Sequence, residues 1–215
     1  MPEFVSAPPD VTGALRGAAI GFCGKLPARG DFVAARLPRR FVEPWHDWVE
    51  RMLAASRDRL GEGWLPAWLE APVWHFALMP GVCGLDAALG LWLPSVDRVG
   101  RYFPLTLAAI VPDGDTDALL AAGGDFLAAA EEAGLDALAQ DLAPDDLAVR
   151  LAAAGSAEPR GCAVDPPSGG QRGALWWSDG SERVPAAAFA TAALPDAAQF
   201  VAMLDAGALV REAAG

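Results

Sequence analysis

Leu89-Gly90-Leu91-Trp92-Leu93 and Phe103-Pro104-Leu105-Thr106-Leu107-Ala108-Ala109-Ile110-Val111 are two apolar runs separated only by Pro94-Ser95-Val96-Asp97-Arg98-Val99-Gly100-Arg101-Tyr102. Short apolar runs bounded by Pro and Gly read as buried strands. The connector is shorter than the dozen or more residues a parallel crossover needs, so the two strands pair antiparallel. Upstream, Val73-Trp74-His75-Phe76-Ala77-Leu78 reads as a third strand of the same kind, and Ala18 to Cys23 as an earlier one followed by the loop Lys25-Leu26-Pro27-Ala28-Arg29-Gly30-Asp31.

Between these strands the pattern changes period. Phe41, Val42, Trp45, Trp48, Val49, Met52 and Leu53 recur on one helical face, which predicts a helix from about Arg40 to Leu60 with a Trp stripe packed into the core. Pro38 and Pro44 fall before it and in its first turn, where a missing amide is tolerated, and Asp47 and Arg51 are spaced to pair on its wet face. Gly61 and Gly63 close it, and Trp64 to Leu69 forms a short cover.

Downstream of Val111 the texture becomes Ala, Leu and acid. Asp115–Ala133 and Pro144–Ala153 read as two helices, residues 155–173 as a Gly/Pro-rich loop, and Ala174-Leu175-Trp176-Trp177 with Val184–Ala190 as a hairpin turning at Ser178-Asp179-Gly180. Pro195–Leu204 reads as a last helix. Helices before and after a run of strands predict an α+β sandwich, with a central mixed, mainly antiparallel β-sheet flanked by helices. Residues 18–215 form one domain on this reading, and residues 1–17 a flexible tail without the basic start and apolar core of a secretory signal.

The net charge of −12 is lopsided: residues 1–110 carry 11 basic and 11 acidic groups, and the remainder 5 and 17. No basic footprint of the kind phosphate backbones require is present, which argues against nucleic acid and anionic membrane and permits a basic protein partner. The apolar runs are interrupted by Pro80, Asp86, Pro94 and Asp97, too short for membrane insertion. Cys23, Cys83 and Cys162 are isolated, without CxxC spacing, which fits reduced thiols in a cytoplasmic protein better than a disulfide framework or zinc site.

Chemistry-bearing residues are few. Gly24-Lys25 lacks the upstream Gly and the following Ser or Thr of a phosphate loop. His46 and His75 sit in no catalytic signature, and His75 should face away from Trp74 and Phe76 in a hydrogen-bonded structural role. Ser178-Asp179-Gly180 shares an element with metal-dependent phosphatases, but the partner aspartates are missing and a turn accounts for it. No catalytic residue, metal or cofactor is assigned.

The charged segments matter more. Charges beside apolar strands persist when paired and hydrogen-bonded, so Asp31, Asp97, Arg98 and Arg101 are expected to form ion pairs, with Asp31 meeting Arg98 or Arg101 and pinning the first loop to the connector. In the alternative role, Lys25, Arg29, Arg98 and Arg101 surface together as a basic patch for an acidic or phosphorylated partner.

Four phrases in order, GFCGKLPARGDFV at 21–33, RRFVEPWHDWVE at 39–50, PVWHFALMPGVCG at 72–84 and LPSVDRVGRYFPLT at 93–106, resemble the TagF (ImpM) family of accessory proteins of bacterial type VI secretion. LWWSDG at 175–180 and LPDAAQFVAML at 194–204 fit its C-terminal part more loosely. The resemblance implies a cytoplasmic, non-enzymatic, post-translational repressor linked to the forkhead-associated scaffold Fha, with no catalytic residues to carry over. The rival readings are a structural subunit of the secretion apparatus, or an enzyme with a spatially assembled Cys and His or an acidic metal site around Asp179.

Overall fold

The strands expected between residues 73 and 111 form the centre of a seven-stranded sheet. The protein is described by a computed structural model covering residues 15, 17–154, 161–162 and 173–208. The tail read at 1–17 and the loop read at 155–173 fall almost entirely outside these described residues.

The elements are β1 (Ala19–Gly24), β2 (Val33–Ala35), α1 (Arg39–Leu60), α2 (Trp64–Leu69), β3 (Trp74–Leu78), β4 (Ala87–Leu93), β5 (Leu105–Val111), α3 (Thr116–Ala122), α4 (Gly124–Ala139), α5 (Pro144–Ala154), β6 (Ala174–Ser178), β7 (Ala187–Thr191) and α6 (Ala197–Leu204). The strand order is β2-β1-β5-β4-β3-β6-β7. Every pairing is antiparallel, where the sequence allowed a mixed sheet.

The central strands are buried on both faces, which is why they read as continuous apolar runs and not as alternating ones. Alternation survives in which core each residue enters. Trp74, Phe76, Trp92 and Trp176 face one layer, packed by Phe41, Trp45 and Trp48 of α1, Trp68 of α2 and Phe200 of α6. Leu89, Leu91, Leu105 and Leu107 face the other, packed by Leu119 of α3, Phe126 and Ala130 of α4, and Leu147 and Leu151 of α5.

The indoles carry polar N–H groups into the first layer, and most find acceptors there. Trp45 donates to Thr106 Oγ1 at 2.9 Å, Trp48 to the Pro195 carbonyl at 2.8 Å, Trp64 to Ser56 Oγ at 2.9 Å and Trp74 to the Met203 carbonyl at 3.0 Å. The Trp stripe of α1 is therefore core, hydrogen-bonded across elements.

Several elements differ from expectation for local reasons. The helix read at 115–133 is two helices meeting at the Gly123-Gly124 pair, where a Cβ on Gly123 would lie 2.0 Å from Leu89 Cδ2 of β4. Strand β2 has only three residues and no strand pattern of its own. Arg51 Nε donates to the Asp47 carbonyl at 3.2 Å instead of its carboxylate. The β6–β7 connection is longer than a tight turn, with Ser181 N donating to the Val184 carbonyl and Val184 buried beneath it. The last helix begins at Ala197 behind a reciprocal cap: Asp196 accepts from Gln199 N and Gln199 Oε1 from Asp196 N, both at 2.9 Å. Among the described residues no helix is long and apolar enough to cross a membrane.

Candidate functional site: a charged joint and its exposed tip

The connector between β4 and β5 is itself a small hairpin. Val96 bridges Tyr102, Asp97 N donates to the Arg101 carbonyl at 3.0 Å, and Phe103 N to the Ser95 carbonyl at 3.2 Å. That Ser95 carbonyl also accepts from Trp68 Nε1 at 3.3 Å, so the base of the hairpin is fastened to the core.

Asp97 lies at its centre with its side chain fully buried. Oδ1 accepts from the backbone N–H groups of Val99 at 3.0 Å and Arg101 at 2.9 Å. Oδ2 accepts from Lys25 Nζ at 2.8 Å and Arg101 Nε at 2.7 Å. Burial alone would raise the pKa of this carboxyl, but the donors from Lys25, Arg101 and Val99 outweigh it and hold the group well below the usual carboxylate range.

The loop from Lys25 to Asp31 is strapped to this hairpin at further points. Ser95 Oγ donates to the Lys25 carbonyl at 2.7 Å, Arg98 N to the Arg29 carbonyl at 2.9 Å, and Arg101 Nη2 to the Gly30 carbonyl. Gly24 makes the approach possible: its φ is +133°, and a Cβ there would fall 2.0 Å from the Pro104 carbonyl oxygen.

The expected Asp31–Arg101 pair is present, but on the surface, and the buried part of the joint is a different pair. Asp31 is 99% exposed and only 3.8 Å from Arg101 Nη2, while Asp97 takes the buried position and Lys25 is its partner. Lys25 is thus a member of the joint and only 13% exposed. Arg29 and Arg98 are exposed, and among the described residues their side chains have no hydrogen-bond or ion-pair partner. Between Arg98 and Arg101, Val99 stands 65% exposed at the hairpin tip. Arg101 does both tasks, one face on Asp97 and the other in solvent.

A groove of about 520 Å³ runs between α1 and this connector. Phe32, His46 and Phe103 pack together at its floor, with Phe32 edge-on to both rings and His46 stacked 5.1 Å from Phe103. Sequence reasoning missed this cluster because its members come from three separated segments. Phe32, directly after Asp31, was the one local signal.

The remaining candidate groups lie apart from the site. His75 projects from β3 toward α4, stacks on Trp177 and donates through Nε2 to Glu131 at 2.9 Å, which holds the Glu131 pKa low. Cys23 and Cys83 lie in the opposite layer; burial pushes the Cys23 thiol up and Cys83 to about 12. No cluster of His, Cys, Asp or Glu suited to a metal is present among the described residues.

The TagF N-terminal domain, type VI secretion system-associated, matches residues 21–154. No match is found among curated proteins. Among solved structures, the chain is similar to PA0076 from Pseudomonas aeruginosa PAO1 at 31% identity, covering 87% of this chain and 94% of that one, with a TM-score of 0.71. The matched region holds every part of the joint, from Gly24 and Lys25 to Asp97 and Arg101, and on that extent the chain belongs to the TagF family of type VI secretion-associated proteins.

Proposed function

We propose that this protein is a cytoplasmic, non-enzymatic repressor of type VI secretion that acts after translation, by binding the forkhead-associated scaffold Fha through the connector tip and the adjoining loop. The observation that carries the proposal is the contrast within one short segment. Asp97 is locked by four donors, while Arg98 and Val99 beside it are held out in solvent with Arg29 as neighbour. A rigid support presenting unpaired Arg and an exposed apolar side chain is the arrangement of a recognition surface, because little entropy is lost when it binds.

A binding role is also favoured over a catalytic one. His75 is engaged by Glu131 on one side of the sheet, and the Cys23 and Cys83 thiols are pushed toward the neutral form on the other, so His75 forms no activated pair with either thiol.

The test is a calorimetric titration with purified Fha in phosphorylated and unphosphorylated forms. Saturable binding at about micromolar or tighter is expected, weakened about tenfold or more by Arg98→Glu. Absence of binding to both forms removes the scaffold from the proposal.

A further inference from the structure

We infer that the groove between α1 and the connector receives an acidic segment of a partner protein, with an apolar side chain seated on the Phe32–His46–Phe103 cluster and carboxylates on Arg57 and Arg101. The inference deepens the docking reading above and rests on it only in taking the partner to be a protein.

The floor is a preassembled aromatic surface. Phe103 is buried, whereas Phe32 and His46 are half-buried and offer ring area to an incoming side chain. Mutual ring packing on two fixed elements and the adjoining loop leaves little to reorganise on binding.

The rim sets the sign of the occupant. Lys25, Arg57 and Arg101 line the groove against one carboxylate, Glu50. Lys25 and Arg101 share the buried Asp97, and Asp31 lies 3.8 Å from Arg101 Nη2, so the excess positive charge comes from Arg57 together with the exposed Arg29 and Arg98. The Arg57 guanidinium lies 4.3 Å from the Trp64 ring centroid, which orients it without neutralising its charge. Arg101 is fixed by Asp97 and the Gly30 carbonyl, with part of its planar fork still facing solvent. Two oriented guanidinium groups suit carboxylates, and Arg98 and Arg29 continue the same sign beyond the groove. The acidic surface of this chain, net charge −12, is complementary to the same rim, so a second copy is the competing occupant; a dimer in sedimentation that Arg57→Glu dissociates would assign the groove to it and overturn the inference. Aromatic anchors ringed by arginines match the usual energetic centre of an interface.

The probe is a fluorescein-labelled EEDFEEDLEE peptide titrated against the full chain by fluorescence anisotropy, with amide chemical-shift mapping to locate it. Saturable binding is expected, weakened at about 0.5 M salt, and reduced about tenfold or more by Arg57→Glu or by Ala in place of Phe in the peptide. Arg39→Glu, on the exposed first turn of α1 outside the groove, should leave binding unchanged. The inference is overturned if a peptide with Lys at each acidic position binds equally well, if Arg57→Glu binds like the parent, or if the shifts map elsewhere. The same variants titrated with Fha separate the two readings. Peptide binding without Fha binding removes the scaffold and keeps the groove; Fha binding indifferent to Arg57→Glu, with no peptide binding, does the reverse.

Discussion

Asp97 and Glu131 are both carboxylates held by basic partners, and they differ in how completely they are satisfied. Asp97 is fully buried and accepts from four donors, two of them backbone groups of its own hairpin. Glu131 is one-third exposed and meets a single imidazole, whose other nitrogen has no partner among the described residues. A charge with a full set of donors becomes a structural joint, because nothing else can replace the lost water. A charge with one partner and access to solvent remains an adjustable contact.

The sharpest way to break this comparison is Asp97→Ala, which strands Lys25 and Arg101 and frees the hairpin. It should cost about 3–5 kcal/mol, or roughly 10 °C in thermal midpoint, whereas Glu131→Gln should cost about 1 kcal/mol. Similar losses from the two changes, measured by urea unfolding, would erase the distinction.

Acid titration sharpens it further. Both carboxylates have pKa values lowered by folding, so each contributes stability that is fully present above its ordinary value, 3.8 for Asp97 and 4.5 for Glu131, and is lost as pH falls below that. Asp97→Asn should therefore flatten the fall in stability below about pH 4 more than Glu131→Gln flattens its own acid limb. Equal slopes would mean that the donors around Asp97 do not favour its ionised form. The smallest effect belongs to Arg98→Glu, which should change stability by about 0.5 kcal/mol or less, since the side chain leaves no partner behind. A collapse of the fold there would make Arg98 part of the joint.

The legible parts of this molecule are those whose cause is local. The 89–111 strands show in their apolar runs, and α1 in its Trp spacing. The break between α3 and α4 falls at the Gly123-Gly124 pair, a breaker signal, and the close approach of Leu89 favours glycine there. Other features depend on distant residues. The charged connector stands out in sequence, but whether Asp31 or Asp97 enters the interior depends on where Lys25 and two backbone amides point. The groove is the extreme case, since Phe32, His46 and Phe103 have no shared periodicity.

The order β2-β1-β5-β4-β3-β6-β7 also dictates an order of assembly. Strands β3, β4 and β5 are neighbours in both chain and sheet, so their pairings close short loops and form at small entropic cost. Strand β1 pairs locally only with the three-residue β2; on its other edge Ile20 pairs with Ala109, and Lys25 reaches Asp97, only once the middle of the chain exists. During synthesis the first strand must wait for the fifth, and the salt bridge of the joint closes as β1 docks. Folding of the two ends is thereby referred to a centre that assembles first, with β6 and β7 joining the opposite edge.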